Sequence, residues 1–339
     1  MKILVTGGLG YIGSHTAVVL LEKGYEVLLV DNLSNTRAEV LDGIEAISGK
    51  RPEWLNIDLA DPAACRSALE GHQLDGIIHF AAYKAVGESV QEPLKYYQNN
   101  LGSLVNLLDY VSKHPNCGFI FSSSCTVYGQ ADQLPITENA PVKAAESPYG
   151  NTKQIGEEII RETAAAKGLK TIALRYFNPI GAHASARIGE LPLGVPQNLV
   201  PFITQSAAGL RGPLSVYGND YPTEDGTAVR DYIHVVDLAE AHRVALERLI
   251  QGQGKDPMEV FNLGTGTGSS VLEVIQSFDR ATGEALQWAY APRRAGDVIA
   301  AYADTTKARD VLGWVAEKSL DEAMKDAWAW QVALGSDSH

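Results

Sequence analysis

The sequence predicts an α/β protein: a doubly wound parallel sheet followed by a smaller, mixed C-terminal lobe. Three observations carry this. Residues 3–15 read as a short buried strand (Ile3, Leu4, Val5) that breaks into glycines at 7, 10 and 13 and then into a helix. Apolar strand-like runs then alternate with runs of helical spacing as far as Phe177 and Asn178, a pattern that calls for right-handed crossovers and helices on both faces of a parallel sheet. Finally, 339 residues exceed the size at which one core stops growing. Two lobes are expected, 1–178 and 179–339, with segments near 233–264 returning to the first.

Gly7, Gly10 and Gly13 permit a tight turn, close approach of a pyrophosphate to the backbone, and close packing of helix on strand. The free amides at the helix N-terminus then face the phosphates. An ordinary strand-to-helix turn also carries glycines, but here a second apolar strand, Glu26 to Val30, ends in Asp31, eighteen residues after Gly13. A carboxylate at that point accepts both ribose hydroxyls of an adenosine. The combination is a dinucleotide site of Rossmann type, and Asp31 favours NAD over NADP because it repels a 2′-phosphate.

A polar segment with Asn32, Ser34, Asn35 and Arg37 leads into a helical run ending near Ile47. Trp54 to Ile57 reads as a third strand ending in Asp58, which either holds an adenine amino group or caps the helix opening at Asp61–Pro62. A fourth strand from Asp75 passes through His79 into Phe80, Ala81 and Ala82, small residues that suit backbone running under a cofactor. His79 is expected to be a packed core histidine. Leu101, Leu104, Val105, Leu108 and Val111 mark a helix over 94–111, and Phe119 to Phe121 is the fifth strand.

That strand runs into Ser122, Ser123 and Ser124, placing hydroxyls at the carboxyl edge where open α/β sheets bind ligands. Ser147 and Pro148 then open a helix reaching about Lys167, with Tyr149 and Lys153 four apart on one face. A phenol is a poor base near neutrality, and a nearby ammonium favours its phenolate. Tyr149 so tuned can take a proton from a sugar hydroxyl as hydride leaves, with Ser124 steadying the same oxygen. By itself such a pair is common on solvated helix surface; its place after a dinucleotide fingerprint and a serine-tipped strand favours chemistry.

Residues 179–232 are rich in glycine and proline with weak periodicity, as expected of a substrate lobe built partly of loops. Asp237 to Leu249 returns to helical spacing, and Glu259 to Gly264 reads as a strand rejoining the sheet. Arg230, Arg293 and Arg294 suit a diphosphate, though charge alone does not separate them from exposed surface arginines. The net charge of −13 argues against nucleic acid or an anionic membrane as partner. Cys65, Cys117 and Cys125 make no disulfide framework and no metal motif, so a cytoplasmic setting and no bound metal are expected. The chain enters a strand at once, without the features of a secretory signal, and no stretch approaches the ~20 apolar residues of a membrane span.

Taken together, the stretches Val5–His15, Lys84–Val90, Ser122–Gly129, Ser147–Lys153, Arg175–His183, Tyr217–Thr227 and Val229–Val235 resemble the UDP-glucose 4-epimerase family of extended short-chain dehydrogenases/reductases over nearly the whole length. The resemblance implies that Gly7, Gly10, Tyr11, Ile12, Gly13, Asp31, Asn32, Asp58, Leu59, Phe80, Ala81, Lys84, Asn99, Ser124, Tyr149, Lys153 and Phe177 form the NAD site. It implies that Lys84, Ser124, Tyr149, Asn178, Asn198, Leu199, Tyr217, Arg230, Arg294, Asp297 and Ala301 surround a UDP-hexose, and that Ser124, Tyr149 and Lys153 are catalytic. The family activity is oxidation at carbon 4 to a keto sugar, rotation of that intermediate, and return of hydride to its other face. A homodimer through the helices near 94–111 and 150–167 is expected. Four positions depart from the commonest pattern: Ala82–Tyr83 stand for Gly-Leu, Cys125 for alanine, and Ala301 for a tyrosine found in some bacterial relatives.

Two other nucleotide-sugar chemistries are weighed against this. Related 4,6-dehydratases carry an Asp-Glu pair after the catalytic hydroxyl, and UDP-glucuronate decarboxylases a glutamate at the second of these positions; here the residues are Cys125 and Thr126. A cofactor-binding regulator without turnover is opposed by the intact Ser124, Tyr149 and Lys153.

Overall fold

The computed structural model describes residues 1–294 and 297–336. The first lobe runs β1 (Lys2–Thr6), α1 (Tyr11–Glu22), β2 (Glu26–Val30), α2 (Val40–Ser48), β3 (Glu53–Leu55), α3 (Pro62–Leu69), β4 (Gly76–His79), α4 (Val86–Gln91), α5 (Pro93–Lys113), β5 (Gly118–Ser124), α6 (Pro148–Lys167) and β6 (Thr171–Tyr176). The chain continues through β7 (Asn178–Ile180), α7 (Leu199–Ala207), β8 (Leu214–Tyr217), β9 (Val229–Arg230), β10 (Tyr232–His234), α8 (Val235–Ile250) and β11 (Met258–Leu263). It closes with β12 (Ser269–Ser270), α9 (Val271–Thr282), β13 (Trp288–Ala291), β14 (Ala300–Ala301) and α10 (Leu320–Ser336).

Seven strands form one parallel sheet in the order β11-β6-β5-β4-β1-β2-β3. The chain winds outward from β1 to β3, then returns to β4 on the other side of β1. That reversal opens a crevice beyond the carboxyl ends of β1 and β4, the place where such sheets take ligands. Alternating side chains feed two cores. Ile3, Val5, Leu29, Ile78 and Ile172 face α1 and α8, while Leu4, Leu28, Ile77, Phe119 and Phe121 face α3, α5 and α6. Both faces are covered, which is why these strands read as continuous apolar runs.

The segment Glu259 to Gly264 does rejoin the sheet, as edge strand β11 paired along β6. The third strand is shorter and earlier than Trp54–Ile57: only Glu53–Leu55 pairs, with β2, because this outermost strand has a partner on one side alone. Residues 179–232 are more ordered than their composition suggests. They carry α7 and β8 to β9, packed around Ile203, Val216, Tyr232, Val274, Phe278 and Met324. Short strands and an isolated nine-residue helix leave little periodicity to read, so this third core exists only through contacts between distant segments. In α5, Leu104, Leu108 and Val111 are buried but Val105 points outward, 49 % exposed. Among the described residues, no helix is long and apolar enough to cross a membrane.

Candidate active site

The crevice at the switch point has a volume of about 280 Å³ and is floored by the glycine turn. Gly7 takes φ +64°, and a Cβ there would lie 2.9 Å from the Ala81 amide nitrogen. At Gly13 a Cβ would lie 2.2 Å from the Gly7 carbonyl oxygen, so α1 packs on the turn only without a side chain. Helix α1 starts from Gly10 with no side-chain cap and no acid in its first turn, leaving its amide end for an anion. The Asp31 carboxylate accepts from the Leu9 and Leu33 amides at 3.1 and 2.9 Å and from Thr36 Oγ1 at 2.8 Å, which aims it into the crevice. The two roles left open for Asp58 are separated here. Asp61 caps α3 through the Ala63 and Ala64 amides, while the Asp58 carboxylate accepts from the Ala60 amide at 2.9 Å and lines the crevice. These features fit an adenine dinucleotide.

All seventeen residues assigned above to the NAD site line this one crevice. Several are tied down in ways the sequence does not announce. The Tyr11 hydroxyl donates to the Gly181 carbonyl at 2.6 Å, joining α1 to the second lobe. Lys84 Nζ lies 3.1 Å from a Glu190 carboxylate oxygen, which also accepts from Asn198 Nδ2 at 2.6 Å. His79 is a core histidine: it is buried, bonded to Thr6 Oγ1 at 2.8 Å, and pushed down to about 3 by burial.

Ser124 ends β5, and Ser147 caps α6 by accepting from the Gly150 amide at 3.1 Å, which sets the first turn that carries Tyr149. Lys153 lies one turn on, with Nζ 5.8 Å from the Tyr149 ring centre. The electrostatics differ from the sequence expectation. Burial pushes the Tyr149 phenol up to about 12, with a hydrogen bond from Ser124 working the other way. Burial also drives Lys153 down, to about 8, and its Nζ donates to the Ser122 carbonyl at 2.7 Å instead of meeting the phenol. In the protein by itself, the phenol holds its proton.

The residues assigned to the hexose are divided. Lys84, Ser124, Tyr149, Asn178 and Asn198 line the crevice; Leu199, Tyr217, Arg230, Arg294, Asp297 and Ala301 do not. Arg230 pairs with Asp297 at 3.0 Å, and the Arg294 guanidinium stacks 4.0 Å from the Tyr217 ring centre. Arg293, by contrast, is held by Asp220 at 2.7 Å. Ala301, paired in register with Arg230, lines a separate hollow of about 310 Å³ with Leu134, Ile136 and Val298. Ser122, one of the three serines expected at this strand edge, lines the crevice, as do Ser103 and Tyr176, which the sequence does not single out. Tyr176 depends on β6 lying beside β5.

A dinucleotide cradle sharing one crevice with a serine hydroxyl and a Tyr-x-x-x-Lys helix is the arrangement of the extended short-chain dehydrogenases/reductases, and this protein is of that class. The sequence profile described as GDP-mannose 4,6 dehydratase matches residues 4–327. The chain is 50% identical over 332 residues to the UDP-glucose 4-epimerase of Bacillus subtilis, covering 98% of this chain and 97% of that one. It is 46% identical over 336 residues to that of Drosophila melanogaster, covering 97% and 96%. The UDP-glucose 4-epimerase of Stenotrophomonas maltophila, solved with NAD and formylated UDP-arabinopyranose, superposes with a TM-score of 0.95 at 45% identity over 99% of both chains. That of Bifidobacterium longum, solved with NAD+ and UDP, superposes at 0.93 and 45% over 98% of both. The chain belongs to the UDP-glucose 4-epimerase family.

Proposed function

We propose that this protein interconverts UDP-glucose and UDP-galactose at carbon 4 through a transient 4-keto sugar, with NAD as resident cofactor. The observation that carries the reading is the meeting of Ser124 and Tyr149 with the glycine cradle in one crevice, while the two positions after Ser124 are Cys125 and Thr126. Without a carboxylate at either position the dehydratase chemistry named by the matching profile lacks its acid and base.

NAD, when bound, supplies a hydride acceptor with a positively charged ring, which the crevice's own side chains lack. Tyr149 takes the proton of the sugar 4-hydroxyl as carbon 4 is oxidised, and returns it after the keto sugar has turned. Ser124 orients that oxygen. Lys153 keeps an ammonium beneath the phenol and is anchored by the Ser122 carbonyl. Asp31 holds the adenosine ribose, and the α1 amides the pyrophosphate. Arg230 and Arg294 serve as diphosphate anchors well separated in sequence from Ser124 and Tyr149, which suits a firmly held nucleotide carrying a loosely held hexose. On this reading residues 1–178, with returning segments near 233–264, bind NAD, and 179–339 mostly bind the UDP-sugar.

The assembly we propose is a homodimer, supported by the exposed Leu94 and Val105 on α5 with half-buried Leu101 and Ile155 nearby on α5 and α6. The three cysteines, all free, support a reducing cytoplasm. The decisive experiment incubates the purified protein with UDP-galactose without added cofactor. UDP-glucose should form, and acid should release NAD from the protein. An inactive preparation, or one active only with added NADP, overturns the reading and the role of Asp31.

A further inference from the structure

Tyr149, Lys153 and Glu157 stand four apart on α6 and so form one stripe against β5. The mechanism uses the first two. Glu157 lies outside the crevice lining, yet it is only 3% exposed. Its carboxylate accepts from Ser123 Oγ at 2.6 Å and Arg175 Nε at 2.8 Å, with Arg175 Nη2 on the second oxygen. Ser123 and Arg175 are register partners on β5 and β6, so one carboxylate grips two adjacent strands.

Such a pair is a costly way to fill a core. Apolar residues of similar volume serve stability as well or better, and here Arg175 Nη1 is left buried without a partner. Geometry explains the placement. Ser123 immediately precedes Ser124, and Glu157 is one turn beyond Lys153, whose Nζ takes the Ser122 carbonyl. Between them Gly156 lets α6 approach until a Cβ would lie 2.8 Å from Phe121 Cζ. The slide and rotation of α6 on β5 are therefore set at consecutive points, at Lys153, Gly156 and Glu157, within about two turns of Tyr149.

We propose that Glu157 is a positioning residue: through Ser123 and Arg175 it holds α6 in the register on β5 at which the Tyr149 phenol meets the Ser124 hydroxyl. The proposal rests on the epimerase reading above. An ångström of slippage is enough to cost about a hundredfold in rate.

The test compares the NAD-loaded parent with Ser123→Ala, which leaves the Glu157–Arg175 pair whole, and with Glu157→Gln. Turnover per NAD-bearing site, KM for UDP-galactose and thermal midpoint are measured for each. In both variants kcat should fall about ten- to hundredfold with KM within about threefold, well below the melting range. Ser123→Ala with kcat within about threefold of the parent overturns the proposal whatever its midpoint, since that outcome marks a purely structural pair. A rise in KM that accounts for the whole loss in kcat/KM overturns it as well. Should Glu157→Gln not fold, Ser123→Ala decides alone. An inactive parent counts against the epimerase reading itself, which separates the two failures.

Discussion

Among single residues, Tyr149 carries the proton chemistry on the reading above. Burial pushes its phenol up to about 12, so the resting protein carries a protonated tyrosine whose value as a base depends on what the crevice receives. Tyr149→Phe keeps the packing and removes the oxygen. Turnover should fall by about two to four orders of magnitude, with KM little changed, as is usual for a positioned acid or base. Near-normal turnover would move the role elsewhere, Ser124 being next. Ala301 bears on breadth. The family resemblance implies that this position faces carbon 2 of the hexose, where a tyrosine would fill the space of an N-acetyl group, and absorbing extra atoms typically costs about 1–3 kcal/mol. UDP-N-acetylglucosamine and its galacto epimer should therefore be turned over alongside the plain hexoses, and Ala301→Tyr should lose the acetylated pair. Equal ratios of kcat/KM in both proteins would show that residue 301 does not set the breadth.

At the scale of elements, the strand–turn–helix unit at the N-terminus is legible because local chemistry decides it. Gly7 needs φ +64°, and Gly13 cannot carry a Cβ 2.2 Å from a carbonyl oxygen. Gly13→Ala must push α1 off β1, so the protein should lose bound NAD and unfold at lower temperature, a displacement costing about 1–3 kcal/mol or more. Retention of a full complement of NAD in that variant would show that the cradle is not where the phosphates sit. Helices α5, α6 and α8 were equally legible from apolar spacing, to within about two residues at their ends. Strand β3 was not, because three residues on a sheet edge carry too little pattern, nor were β7 to β10, each four residues or fewer.

For the whole molecule, three buried histidines tie stability to acid. His15 and His79 are pushed down to about 3 and His242 to about 4, from an ordinary 6.5, and burial is the leading cause in each. The folded state thus binds fewer protons than the unfolded chain between pH 6.5 and those values. Their contribution is whole above pH 6.5 and is lost as pH falls, at about 1.4 kcal/mol per pH unit for each histidine. Urea midpoints should drop steeply from pH 6.5 to 5; a flat profile would mean that these rings are hydrated. Assembly is the second property at this scale. Light scattering at micromolar concentration should report a dimer, and Val105→Glu on the outer side of α5 should yield a monomer. A parent protein that scatters as a monomer would sink the proposed interface.

What the sequence determined by itself was whatever local periodicity and single-residue sterics encode: the parallel sheet, the glycine turn, Asp31 at the end of β2, and the Tyr149–Lys153 pair. Most residues assigned to the cofactor came to one crevice because they sit at the carboxyl end of a strand or the start of a following helix, and a doubly wound sheet gathers those ends; Lys84 in a loop and Asn99 within α5 reach it only through packing. Tertiary structure decided the rest. The pairing of Arg230 with Asp297 and the bridge from Lys84 through Glu190 to Asn198 join segments far apart in the chain. The rise of the Tyr149 phenol and the fall of Lys153 were hidden for the same reason. Spacing places two side chains on one face, but only the packed neighbours say how much water is left to stabilise their charges.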